Sequence, residues 1–403
     1  MRNLAHLLVI GLLLVPAFSS AQTRGQSTGV IDLSAALNAD APVLLSTIAD
    51  NIEYVPLETT PECILGDYRN IKAEVLKEYI VVYDKHQLDD VPLKLFSRQG
   101  KYIGEIGAIG KGPNEYQRIL GYSFLEDFDR IYILNDNPSK LLVFNFNRQC
   151  IGSIPLTRSA AKVIAINPDR IGIMYLPFSE IPNETAHFEW IDNIGKILKS
   201  VPLYQGRPKD GGGAFAPKAQ LKKIGDEVHF VEQPFDTVYR LDPDKGFQPI
   251  WIFNLGADKM PREISTDGRR IMEEARPYSF IRIAVETPKY YFISIVQRQQ
   301  IRNLYYHKKD KKVTCLKINE QFKKFFDASL GFVNDLDGGL PFWPNSGSES
   351  QLVSVAAPEV LKAVFQDKPT TTLKLKRPEL REKLFKMVDQ LKEDDNPVVV
   401  IVK

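Results

Sequence analysis

One short strand recurs along the chain at a nearly constant interval. It reads Ile52-Glu53-Tyr54-Val55-Pro56-Leu57, then Lys101-Tyr102-Ile103-Gly104-Glu105-Ile106, then Ile151-Gly152-Ser153-Ile154-Pro155-Leu156, then Leu198-Lys199-Ser200-Val201-Pro202-Leu203. Aligned on Val55, Ile106, Ile154 and Val201, the copies are spaced by 51, 48 and 47 residues. A period of roughly 40 to 50 residues with several strands in each unit is the mark of propeller blades. The expected fold class is therefore all-β, a six-bladed β-propeller.

The clearest unit is Leu95 to Arg118, LFSRQGKYIGEIGAIGKGPNEYQR. An apolar run, the loop Ser97-Arg98-Gln99-Gly100 with Gly where positive φ is wanted, and a second apolar run spell a hairpin. Gly107, Gly110, Gly112 and Pro113 then break regular structure and begin the passage to the next blade. Further outer strands are expected at Pro249 to Phe253 and Val313 to Lys317, and the sixth at Ile52 to Leu57, detached from its blade. Continuous apolar runs such as Tyr79 to Asp84, Ile131 to Asp136, Arg170 to Tyr175, Glu227 to Val231 and Tyr290 to Ile295 read as inner strands covered on both faces. The sixth blade then joins the two ends of the chain, with the terminal strand Val398 to Val402 beside Ile52 to Leu57 and no open seam. Ile31 to Leu45 is a loosely patterned lead-in. Two helices are expected, one within Arg262 to Ala275 and one over Pro378 to Lys392, where Leu380, Leu384, Met387, Val388 and Leu391 share a face.

Residues 1 to 21 read as a secretory signal: Arg2, the apolar run Leu7 to Val15, and the small residues Ser19-Ser20-Ala21. That run is shorter than the roughly 20 residues a membrane-spanning helix needs, and no Cys follows it as a lipid anchor would require. Residues 22 to 28 are expected to be a disordered linker, and residues 29 to 403 the propeller. The 52 basic and 50 acidic residues nearly cancel, which argues against nucleic acid or anionic membrane as partner. Cys63, Cys150 and Cys315 have no CxxC spacing and are expected as buried apolar side chains.

The repeats resemble the bacterial six-bladed β-propeller family of exported proteins, similar to NHL and TolB-like propellers. The resemblance rests on IEYVPLET at Ile52 to Thr59, Phe96 to Lys101 with Ile106-Gly107, Gly110-Lys111-Gly112-Pro113-Asn114-Glu115-Tyr116, Asp236 to Leu241, NDLDGGLPFWP at Asn334 to Pro344, and Asp395 to Val398. It implies a Gram-negative envelope setting, periplasmic or secreted, and supplies no catalytic motif.

Candidate sites are few. Gly110 to Tyr116 lacks the GxxxxGK[ST] pattern of a phosphate cradle; Glu115 is expected to bind backbone groups and Tyr116 to pack beneath the next blade. Asn334-Asp335-Leu336-Asp337-Gly338-Gly339 begins like a calcium loop but has no Glu at the twelfth position. With Trp343 close by, Asp335, Asp337 and Trp343 are the expected ligand-contacting residues, of a kind suited to a sugar or peptide. His86, His187, His229 and His307 are scattered without HExxH. No catalytic residue, metal or cofactor is assigned. The basic stretches Arg207 to Gly213 and Arg298 to Lys312, the latter with Tyr305 and Tyr306, are expected as solvated, lysine-protected hairpin edges. The function expected is binding or scaffolding: a monomer recognising a small molecule, glycan or protein partner at one mouth of the funnel. The alternative is a lyase or hydrolase with an active site assembled near the axis. A fold alone decides neither.

Overall fold

The computed structural model describes residues 28–84, 91–175, 186–202, 219–232, 236–242, 244–265, 268–325 and 329–403. The leader and residues 22–27 of the linker lie outside these, as do His86 and 207–213. Six sheets are wound in a ring. Blade 1 comprises Ile71–Val75, Tyr79–Asp84, Leu93–Ser97 and Tyr102–Ile106; blade 2, Ile119–Leu125, Arg130–Asn135, Lys140–Phe144 and Cys150–Pro155. Blade 3 comprises Ala160–Asn167, Arg170–Tyr175, Ala186–Ile191 and Ile197–Pro202; blade 4, Ala219–Ile224, Glu227–Glu232, Thr237–Asp242 and Gly246–Asn254. Blade 5 comprises Ser279–Glu286, Tyr290–Gln297, Gln300–His307 and Lys312–Leu316.

Blade 6 is assembled from both ends of the chain: Ser346–Gly347, Leu352–Ala356 and Val398–Val402 are completed by Ile52–Pro56. The closing pair is antiparallel, with Val398 opposite Pro56, Val400 opposite Tyr54 and Val402 opposite Ile52.

Successive side chains of a strand point to opposite faces, and each blade face is a seam. In blade 1, Ile80 and Val82 enter the seam with blade 6, whereas Val81 enters the seam with blade 2. In blade 2, Ile131 and Ile133 face blade 1 while Tyr132 and Leu134 face blade 3. The long apolar runs are therefore the second strand of each blade rather than the innermost. They are largely apolar because both of their faces are buried. The innermost strands are more polar, for example Ile71–Val75 with Lys72 and Glu74.

The expected turn chemistry is present. Gly100 takes φ 84°, and a side chain there would collide with the Pro56 carbonyl of the closing strand. Glu115 accepts from the Gly112 N–H at 2.7 Å, and the buried Tyr116 hydroxyl donates to the Ile106 carbonyl at 2.6 Å.

Four readings are corrected. The lead-in is a strap: Gly29–Asp32 pairs in parallel with the outer strand of blade 4, and Asp40–Ala41 pairs in parallel with that of blade 5. Arg262 to Ala275 holds two short helices, Arg262–Ser265 and Gly268–Glu274, rather than one. The C-terminal helix is Pro378–Gln390, and a second helix, Pro358–Phe365, packs against it through Leu361, Phe365, Leu384 and Phe385. Arg298 to Lys312 is not a solvated edge. Gln300–His307 is the third strand of blade 5, covered by Lys312–Leu316, and its Tyr305 and Tyr306 are buried. Cys63 and Cys315 are buried thiols; Cys150 is half-buried.

Candidate functional site

In an antiparallel four-stranded blade, the turns between strands one and two and between strands three and four emerge at one mouth. The turns between strands two and three emerge at the other, with the passages between blades. Here the first mouth carries tight hairpins, among them 225–226, 287–289 and 308–311. The long connections 107–118, 255–278, 317–345 and 357–397 all leave from the second. Long loops on a rigid scaffold are where binding groups are usually placed, so this connection mouth is where a site is to be sought.

The segment that held the expected ligand residues does something specific there. The first strand of blade 6 is only two residues long, and residues 331–344 fill the space that a longer strand would occupy against blade 5. Phe332 and Phe342 form a bridge and join Val285, Phe292 and Leu352 in the blade 5–6 seam. Trp343 is half-buried, stacked on Phe332 at 6.1 Å and edge-on to Phe292 at 5.8 Å. Asp335 is buried, and both its oxygens accept from Ser46 of the strap, Oδ1 from the N–H at 2.9 Å and Oδ2 from the hydroxyl at 2.6 Å. Asp337 has no exposed surface. Its Oδ1 accepts from the Gly339 N–H at 2.9 Å and from the Tyr54 hydroxyl at 3.3 Å, while Oδ2 has no partner. Burial raises the Asp337 carboxyl above its ordinary range against the pull of these donors. The two carboxylates and the indole thus share one segment, but the carboxylates point into the protein.

A depression of about 620 Å³ does open at the connection mouth. It is lined by Ala257 and Asp258 from the passage out of blade 4, Arg276, Pro277 and Tyr278 from the approach to blade 5, and Arg298 and Gln299 from the turn between its second and third strands. Two arginines and one carboxylate therefore line the depression, and the Arg298 Nη2 donates to Asp258 Oδ2 at 2.8 Å on the exposed surface. The backbone of that turn is unusual. Arg298 has φ 48° and Gln299 φ 70°, the only tandem of left-handed non-glycine residues among those described. A two-residue hairpin with both φ positive ordinarily takes Asn-Gly or Gly-Gly; here it carries two long polar side chains at a conformational cost of roughly 1 kcal/mol each. Strain of this kind concentrates where side chains have work to do.

Sequence reasoning did not single out this pocket, because it gathers single residues from three segments with no motif among them. One signal existed: a two-residue Arg-Gln turn, between two strongly apolar strands, at a place where Gly or Asn belongs.

The scattered histidines are also placed. His229 lies at the opposite mouth of the same blade 4–5 seam, its Nδ1 2.9 Å from both oxygens of Glu286 and its Nε2 3.0 Å from Glu227 Oε2. Lys308 completes the group, 2.6 Å from Glu286. His187 packs among the rings of Phe230 and Phe247.

A family model described as a domain of unknown function (DUF4934) matches residues 28–403. Among solved structures the chain is similar to a Bacteroides fragilis protein inferred to be exported, at 15% identity and a TM-score of 0.67, covering 93% of this chain and 99% of that one. It is also similar to a Bacteroides vulgatus member of the DUF4221 family, at 11% identity and a TM-score of 0.49, covering 88% of this chain and 96% of that one. No curated protein matches the sequence.

Proposed function

We propose that this chain, which belongs to the DUF4934 family, is an extracytoplasmic binding protein whose connection mouth captures a ligand carrying an anionic group at the depression over the blade 4–5 seam. The leader-like residues 1 to 21 support the compartment, and the description of the Bacteroides fragilis neighbour points the same way. The observation that carries the binding reading is the Arg298-Gln299 turn. The fold would be more stable with glycine there, so the side chains are retained against their backbone cost. Arg298 and Arg276 offer forked donors suited to a carboxylate, phosphate or sulfate. Asp258 holds Arg298 in place until such a group displaces it, and Tyr278 supplies a flat amphipathic wall for a sugar ring or peptide plane.

The test separates stability from binding. The leaderless protein is screened by thermal shift against acidic oligosaccharides and acidic peptides, and the double variant Arg298→Gly, Gln299→Gly is run beside it. Relief of the two positive-φ side chains is offset in part by the freedom glycine adds to the unfolded chain, so the variant should melt modestly higher than the parent, and should lose the response to the anionic ligand. If it melts lower, or keeps the full ligand response, the proposal fails.

A further inference from the structure

We propose a second, independent ligand site at the place where the two ends of the chain meet, which accepts a single-chain amphiphile with an anionic head. A cavity of about 310 Å³ lies between the first residues of the closing strand, Asn51 to Tyr54, and one face of helix Pro378–Gln390. Leu380, Lys383 and Met387 stand on that face at the three- and four-residue spacing that aligns side chains on a helix. Deeper in, Leu384 and Val388 of the same helix bury themselves against Val398, with Tyr54 beside them. The cavity therefore opens where the helix parts from the strand.

Part of its wall is apolar, with Ile52 buried and Leu380 and Met387 half-buried, and Tyr54 lines it beside them. A volume at the lower end of small-molecule pockets and the aliphatic side chains of Ile52, Leu380 and Met387 fit an alkyl chain. The rim is cationic. Arg377 and Lys383 both sit at the opening and share one carboxylate, Glu379: Arg377 Nε donates to its Oε1 at 2.6 Å, and the Lys383 charge acts on it from one turn further on. Glu53, the one carboxylate in the lining, is already matched by the two Arg98 donors at 2.9 and 3.1 Å and by Lys403 at 3.4 Å. The surplus positive charge is on the helix side of the opening, where the head group of an inserted chain would lie.

Occupancy would couple to the fold. One wall belongs to the strand contributed by the N-terminal region and the other to the C-terminal helix, so an amphiphile bridging them stabilises the closed ring by mass action.

The experiment uses the leaderless protein and decanoate below its micelle concentration, read by thermal shift and titration calorimetry. Expected is a saturable rise in melting temperature with one molecule bound per chain, and no rise with decyltrimethylammonium. Lys383→Glu, an exposed position that tolerates the change, should weaken decanoate binding by about tenfold or more, since an attractive charge contact becomes repulsive. Met387→Trp should fill the cavity and abolish binding; if that variant fails to fold, the charge reversal alone decides. The Arg298→Gly, Gln299→Gly variant should bind decanoate as the parent does, which keeps this site distinct from the mouth. Absence of a shift, equal binding of the cationic analogue, or unchanged affinity in Lys383→Glu would each overturn the proposal.

Discussion

Two buried carboxylates on one turn show how far residue type alone underdetermines role. Asp335 is an anchor: two donors from Ser46 end on it, and they tie the strap to the segment between blades 5 and 6. Asp335→Ala should leave both without an acceptor and cost about 1–3 kcal/mol in denaturant unfolding. Asp337 is the opposite case. Its carboxyl titrates above its ordinary 3.8 because burial outweighs the donors around it. The unfolded chain therefore gives up this proton more readily than the folded one, and the penalty grows as pH rises above that value. Asp337→Asn should raise the melting temperature at pH 7, with a gain that disappears as the pH approaches 4. A loss at pH 7 would show that the carboxylate has a donor that the geometry does not reveal. His229 has a different sign. Burial lowers its pKa, but the hydrogen bonds to Glu286 and Glu227 prevail and raise it above 6.5. Its contribution is then fully present below pH 6.5 and fades as pH rises through the folded-state value. His229→Gln should cost about 1–3 kcal/mol at pH 6, with the gap to the parent narrowing by pH 9. A gap independent of pH would show that His229 packs the seam without holding a charge in it.

At the scale of elements, what the sequence reveals follows from how many faces each strand buries. The second strands were plain as unbroken apolar runs, since alternate residues serve two seams. The outgoing strands were plain through their repeat. The strap was not, because Gly29–Asp32 and Asp40–Ala41 are too short to show an alternating pattern and their parallel pairing partners lie more than 200 residues away. Helix Pro358–Phe365 escaped notice because eight residues following an apolar strand read equally well as its continuation. The strap also bears on edge protection. It covers the outer strands of blades 4 and 5, while the outer pairs of blades 1, 2, 3 and 4 each contain a register shift, near Leu95/Phe96, Val143/Phe144, Trp190/Ile191 and Val238/Tyr239. A bulge that twists an edge away is one means of discouraging strand addition; a strap is another. Leu33 is fully buried at the centre of the strap, so Leu33→Ala should cost about 2–5 kcal/mol and expose residues 33 to 40 to limited proteolysis before the blades unfold. Unchanged cleavage kinetics would mean that the strap contributes little to stability.

For the whole molecule, ring closure organises everything else. It carries the strap from blade 4 across blade 5 to blade 6, sets the Tyr54 hydroxyl over Asp337, and creates the cavity beneath helix Pro378–Gln390. The closure was legible because a detached copy of a repeating strand near one end, and a strand with no partner at the other, leave a single pairing that removes both edges. The pocket at the connection mouth was not legible, since repeats define blades while binding residues come from what interrupts them. Residue-resolved hydrogen exchange under native conditions tests the closure most directly. The account predicts that the hydrogen-bonded amides of Ile52–Val55 and Val398–Val402 share one opening free energy, close to that of the second strands of the other blades. Exchange of the Ile52–Val55 amides many times faster than that of Val398–Val402 would contradict it.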